Sequence, residues 1–166
     1  MSDLVDVQQR RSPIVFADAA GTAVFVVTLA IGTAWREDRP AQVLVVVVSM
    51  LLFAIGAAAC LWAYTTALER SRTEEVGVAN LYLLTGSTVS KVAKRSMSGL
   101  LAVQVVVALA AASIGAAGLS GDTLNALAFG VLVPMFGLGM NGLLASRHGS
   151  FGPRVQAVPT SKRRID

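Results

Sequence analysis

Four long apolar runs, arranged in two pairs, organise the chain. The first covers roughly residues 13–35 and the second 41–68, with only Arg36, Glu37, Asp38, Arg39 and Pro40 between them. The third covers 98–118 and the fourth 123–145, joined by Leu119, Ser120, Gly121 and Asp122. Between the pairs lies ERSRTEEVGVANLYLLTGSTVSKVAKRSM, residues 69–97, the only long charged segment between apolar runs. A helix rises about 1.5 Å per residue, so about 20 residues cross a hydrocarbon core of about 30 Å. Each run is long enough. The pattern predicts an all-α integral membrane four-helix protein, two transmembrane hairpins joined by a loop that carries a short interfacial helix. Residues 13–145 form the membrane domain. Residues 1–12 are a polar N-terminal tail and 146–166 a basic, flexible C-terminal tail.

Local signals agree with these spans. Pro13 suits the first turn of a helix. Trp35 ends the first run, and Trp62 and Tyr64 stand near the end of the second, where aromatic anchors meet the membrane interface. Residues 43–48 are β-prone by soluble standards. In lipid an unpaired strand cannot satisfy its backbone, so a helix is expected there too. The second run is long for a span, which predicts tilt or an extension beyond the bilayer.

Composition sharpens the picture. The chain is 54% hydrophobic and 14% charged, against about 25% charged in soluble domains. The charges gather outside the runs, and Asp18 alone interrupts a span. The first run follows Arg10 and Arg11 and is too long for a signal-peptide core, so it reads as a retained span. Cys60 is the single cysteine and stands in an apolar run. It has no intramolecular partner and is too isolated for a metal site, so no cofactor is expected. Of the 14 Lys and Arg, all but Arg36 and Arg39 fall on one side of the four spans. The positive-inside rule then places both termini and the central loop in the cytoplasm. Because the basic residues flank spans, anionic lipid headgroups explain the net charge of +4, and nucleic acid is not needed.

Candidate chemistry is sparse. Asp18, Thr65, Gln104 and Asn141 fall near the cytoplasmic ends of their spans, within roughly 10 Å of that face at about 1.5 Å per residue. They form a candidate polar layer, with Lys94, Arg95 and Arg147 as possible charge partners for Asp18. A carboxylate in a span is a functional hypothesis by default, and a hydrogen-bonded layer that fixes helix register is the plainer reading. Pro134 cannot donate to the carbonyl of Gly130 and should kink the fourth span. In the third span Ala108, Ala112 and Ala116 recur every four positions, a spacing that lets membrane helices pack closely. Gly137, Gly139 and Gly142 spell GxGxxG. A dinucleotide site needs that motif between a strand and a helix start, so inside a span the glycines read as packing residues. His148, the only histidine, has no companions for general-base or ligand chemistry.

In the central loop, residues 76–86 run without charge. Such a run is too short to span and suits an interfacial or re-entrant segment. A second helix should start near Ser87 or Ser90 and lead into the third span. On it Lys91, Lys94 and Arg95 share one face by i, i+3 and i+4 spacing. With Tyr82, they form a candidate docking element for lipid or a partner.

Two passages, VANLYLLTG (residues 78–86) and FGVLVPMFGLGMNGLLASRHGSFGPR (residues 129–154), resemble small four-span membrane proteins of high-GC, actinobacterial-type bacteria. The resemblance implies a bacterial inner membrane and four spans. It carries no activity. A nucleophile–base pair, a metal cluster, a phosphate loop and paired carboxylates are all missing from the sequence. The expected function is therefore a non-catalytic accessory or scaffold subunit that associates with itself or a larger membrane assembly. The alternatives are a small oligomeric transporter or channel using the polar layer and, third, a lipid-processing enzyme.

Overall fold

The computed structural model describes residues 12–72, 74, 76–85, 89–117 and 125–149. The expected tail 1–11, the tight turn 119–122, the expected helix break and Ser87 start at 86–88, and tail residues 150–166 lie outside the described residues. The described chain is all-helical: α1 (Pro13–Ala34), α2 (Arg39–Arg70), α3 (Val78–Tyr82), α4 (Lys91–Ala117), a 3-10 segment (Ala126–Leu132) and α5 (Pro134–His148). α1, α2, α4 and the continuous stretch Ala126–His148 are each long and apolar enough to cross a membrane.

Short-range chemistry sets the boundaries. Ser12 precedes α1, and its Oγ accepts the Ile14 N–H at 3.4 Å. Pro13 occupies the first turn, where its missing N–H costs nothing. The link to α2 is tied by Gln42, whose Nε2 donates to the Arg36 carbonyl at 2.6 Å. α2 has 32 residues, roughly 48 Å of helix at about 1.5 Å per residue, so it outruns a bilayer core as its length in sequence foretold. The valines at 43 and 45–48 are helical throughout, because in lipid only a helix pairs the backbone within one segment. α4 begins at Lys91, well before its apolar run, and Ser90 Oγ accepts the Ala93 N–H at 3.3 Å. The basic segment and the third span are thus one helix.

Pro134 does more than kink the fourth span: it changes the winding. The carbonyl of Gly130 accepts from Val133 N at 3.0 Å, three residues on, and that of Val133 accepts from Phe136 N at 2.7 Å. The segment before the proline is therefore 3-10, and α5 starts afresh at Pro134. Asn125 starts the segment. Its Oδ1 accepts the Ala128 N–H and its Nδ2 donates to the Ala112 carbonyl, both at 3.2 Å, which fastens the segment to α4.

The four spans pack with α1 and the fourth span at the centre, and α2 and α4 at the flanks. Of the most apolar stretch of each, 56% is buried in the fourth span and 17% in α4. α5 makes its largest contact with α2. Phe25 and Leu29 of α1 are buried against Gly130, Phe136 covers Gly21, and Val45 seats beside Gly32. The outward faces of α2 and α4 carry large apolar side chains, among them Leu51, Ile55, Leu61, Val106 and Leu109. This is the surface a bilayer would cover.

α3 packs under the bundle against α5, with Leu81 and Leu84 fully buried. Its last turn closes by Leu83 and Thr85 N–H groups both donating to the Ala79 carbonyl, at 3.0 and 3.4 Å. That closure puts Leu84 at φ 52. A left-handed leucine costs roughly 1–2 kcal/mol, and burying a leucine away from water is worth about 1.5–3 kcal/mol, so the turn holds.

The small-residue face of α4 differs from the expectation. Ala108 and Ala111 are buried, Ala112 is half-buried and Ala116 is exposed. With 3.6 residues per turn, a row of every fourth residue drifts around the helix by about 40° per step. Ala108, Ala112 and Ala116 therefore cannot all face one neighbour. The row that does is Gln104, Ala108 and Ala111.

Candidate functional site

The centre of the polar arrangement is Gln104, which is fully buried on α4. Its Nε2 donates to Asp18 Oδ1 at 3.2 Å and to Thr22 Oγ1 at 2.7 Å, both on α1. Its Oε1 accepts the backbone N–H of Gly137 at 3.2 Å. Thr22 Oγ1 in turn donates to the Asp18 carbonyl at 2.8 Å. One amide thus ties three spans together.

The sequence dictates why this closes where it does. Asp18 and Thr22 are four residues apart on a helix, hence on one face. Pro134 restarts α5, so Gly137 lies in a first turn whose amides lack partners within their own helix. Gln104 supplies an acceptor there. A Cβ on Gly137 would stand 2.6 Å from Gln104 Oε1 and 3.0 Å from Leu101 Cδ1, so the ends of those two side chains would have to shift to admit one.

Asn141 heads a second, separate contact. Its Nδ2 donates to the Tyr82 carbonyl at 3.0 Å, joining α5 to α3. The Tyr82 hydroxyl donates to the Cys60 carbonyl of α2 at 3.0 Å, and its ring leaves no room for a Cβ on Gly142. Burial, with that hydrogen bond, pushes the Tyr82 phenol above its ordinary value, so it stays protonated. Tyr82 is therefore half-buried, with its hydroxyl engaged by α2 and its carbonyl by α5. Among the described residues, the buried Asp18 Oδ2, Asn141 Oδ1 and Ser49 Oγ have no hydrogen-bond partner.

The remaining expectations sort plainly. Thr65 is exposed, and its hydroxyl donates to the Trp62 carbonyl of its own helix at 2.8 Å; it does not join Asp18 and Gln104. Arg95 and Arg147 are exposed, and neither they nor Lys94 pairs with Asp18, whose hydrogen-bond donor among the described residues is the neutral Gln104 amide. Along their helices, Gln104 lies roughly 20 Å from the start of α4 and Asp18 roughly 8 Å from the start of α1. Lys91, Lys94 and Arg95 line a cleft of about 890 Å³ along the start of α4, with Val92, Ser96 and Ser98. Among the described residues, no cluster of His, Cys, Asp and Glu could hold a metal ion.

Two features escaped sequence reasoning. Thr22 could have been found as the polar residue one turn after Asp18. Arg70 had been counted only as charge. Its guanidinium pairs with Glu74 at 2.9 Å and donates to the Ser146 and Gly149 carbonyls at 2.9 and 3.0 Å. It thereby caps the C-terminal end of α5, where a cation suits the helix dipole. Nothing in the sequence marks which helix end an arginine will reach.

The fold and this interior define a class: a four-span, multi-pass helical membrane protein. No protein-family model, no curated protein and no solved structure matches the chain.

Proposed function

We propose that the chain is a non-catalytic accessory or scaffold subunit of a bacterial inner-membrane assembly, associating through its spans with itself or a larger complex. The observation that carries this reading is the direction in which the spans turn their chemistry. Gln104, Thr22 and Asn141 direct hydrogen bonds inward, to other elements of the same bundle. The outward faces of α2 and α4 are apolar. The protein so built offers partners a shaped hydrophobic surface. The basic cleft at Lys91, Lys94 and Arg95 suits anionic headgroups and sits at the end shared by the start of α1, the end of α2 and the end of α5. The Lys and Arg asymmetry of the sequence supports a cytoplasmic location for that end.

Purification from native membranes in mild detergent tests the assignment. The expected result is a stoichiometric second membrane protein or a defined homo-oligomer. A monodisperse monomer without partners would overturn it. Orientation is read by labelling Asp38→Cys and Lys91→Cys in a Cys60→Ser background. Labelling of Asp38→Cys, and not of Lys91→Cys, by an impermeant reagent from outside is expected.

A second reading, a small oligomeric transporter or channel, is favoured by the unpartnered Asp18 Oδ2 and the winding change at Pro134. Solute flux in liposomes that disappears with Asp18→Asn would replace the first reading with the second.

A further inference from the structure

α4 turns two faces in opposite directions. Ala93, Met97, Gln104, Ala108 and Ala111 are buried and face the bundle. On the other side Lys91, Arg95, Ser98, Ala102, Val106 and Leu109 follow one another at steps of three or four residues, so they form one stripe along the helix. Ser98 is half-buried and the other five are exposed, Val106 by 65% and Leu109 by 55%. The stripe is cationic in its first turns and apolar beyond Ser98. Its cationic end lies in the cleft that Lys94 and Ser96 also line. Gly99 stands one turn after Arg95, and among the described residues a Cβ there would meet nothing within 4 Å. Space is thus left beside the helix just below the cations.

The chemistry of the stripe selects its occupant. Guanidinium and ammonium groups donate to phosphate oxygens, Arg as a fork and Lys as a point charge, and serine hydroxyls can donate beside them. An apolar strip that continues from such a cluster into the bilayer suits an acyl chain. A ligand with both parts is an anionic phospholipid. A second copy fits this face worse, because two chains of the same orientation would set Lys91 and Arg95 of one against the same cations of the other, and like charges in contact oppose association.

We propose that this stripe of α4 is a binding site for an anionic phospholipid, its phosphate held by Lys91, Lys94 and Arg95 and an acyl chain lying along Ala102, Val106 and Leu109. The site rests on the reading of the cleft as a headgroup surface and not on the scaffold assignment. A monomer without partners that gathers the lipid keeps this site and loses the scaffold. A stable complex that gathers none keeps the scaffold and loses this site.

The test uses the full chain in phosphatidylcholine vesicles that contain a minor share of phosphatidylglycerol. Trp35 and Trp62, the two tryptophans of the chain, are exposed and are changed to phenylalanine. Val106→Trp then reports on the stripe through quenching of its fluorescence, with bromine in the acyl chains of either lipid in turn. Ile55→Trp is the control. It stands as far from Arg70 as Val106 does from Lys91, roughly 22 Å along each helix, but its own stripe, Ile55, Trp62 and Glu69, ends on an acid. Phosphatidylglycerol should be enriched at Val106→Trp by at least about fivefold over its bulk share, the effect of one basic residue engaged with anionic lipid. At Ile55→Trp it should stay near its bulk share. Lys91→Gln with Arg95→Gln should abolish the enrichment; both side chains are exposed, so the change leaves the packing of the bundle in place. Equal quenching at the two positions, or enrichment that survives the paired Gln changes, overturns the proposal. Displacement of the brominated lipid by inorganic phosphate overturns it too, since the site would then take free phosphate and not a lipid.

Discussion

The α1–α4 contact and the α2–α5 contact solve the same problem by opposite means. α1 meets α4 through a side-chain amide, a carboxyl and a hydroxyl. α2 meets α5 through missing side chains. A Cβ on Gly56 would stand 2.5 Å from Phe136 N and 2.6 Å from Met135 O, and one on Gly139 would strike the Gly56 carbonyl. Lipid is as apolar as the helix surface, so burial by itself gives helices little reason to associate. Close van der Waals approach and hydrogen bonds are what remain. The close approach accompanies the most extensive contact in the molecule, and the hydrogen-bonded pair includes the least buried span. The two contacts should therefore fail differently when altered.

The largest expected effect is on the glycine contact. Gly56→Val drives a branched side chain into the backbone of α5, which cannot move aside as a side chain can. The cost should reach or exceed the upper end of the roughly 1–3 kcal/mol seen for overpacked cores, read from reversible unfolding in bicelles. A change within about 0.5 kcal/mol would mean that the backbones do not touch there. Next comes a pair on α4. Ala108→Leu should destabilise by about 1–3 kcal/mol and Ala116→Leu by less than about 0.5 kcal/mol. Equal effects would restore the straight alanine row and refute the rotated face. Gln104→Leu should cost about 0.6–1.7 kcal/mol, the span of measured interhelical hydrogen bonds in membranes. Combined with Thr22→Val in a double-mutant cycle, it should show clear coupling, and strict additivity would dissolve the network. The smallest effect belongs to Thr65→Val, within about 0.5 kcal/mol, since Thr65 bonds only its own helix.

Much of this was legible beforehand because membranes narrow the choices. A run of about 20 apolar residues must be helical to satisfy its backbone, so four spans followed from the pattern of polar positions. Pro134 and Asp18 stood out as breaks in that pattern, and both are structurally consequential. Other features required packing to be known. Ala116 resembles Ala108 in sequence, yet small drifts in helical phase turn it outward. Thr65 lies at a depth that suggested membership of the polar layer, but its angular position faces away. Tyr82 sits in the segment between the hairpins and yet packs, half-buried, against Cys60 and Gly142.

The chain by itself determined the number of spans, their hairpin pairing and the side on which its positive charge gathers, since each follows from local transfer free energies. Only the tertiary structure decided that Gln104 would bridge Asp18, Thr22 and the Gly137 amide, that Arg70 would cap the end of α5, and that Gly56 would admit the backbone of Phe136. Those pairings join residues from distant parts of the chain. They depend on the rotation and crossing of whole helices, which no single segment encodes.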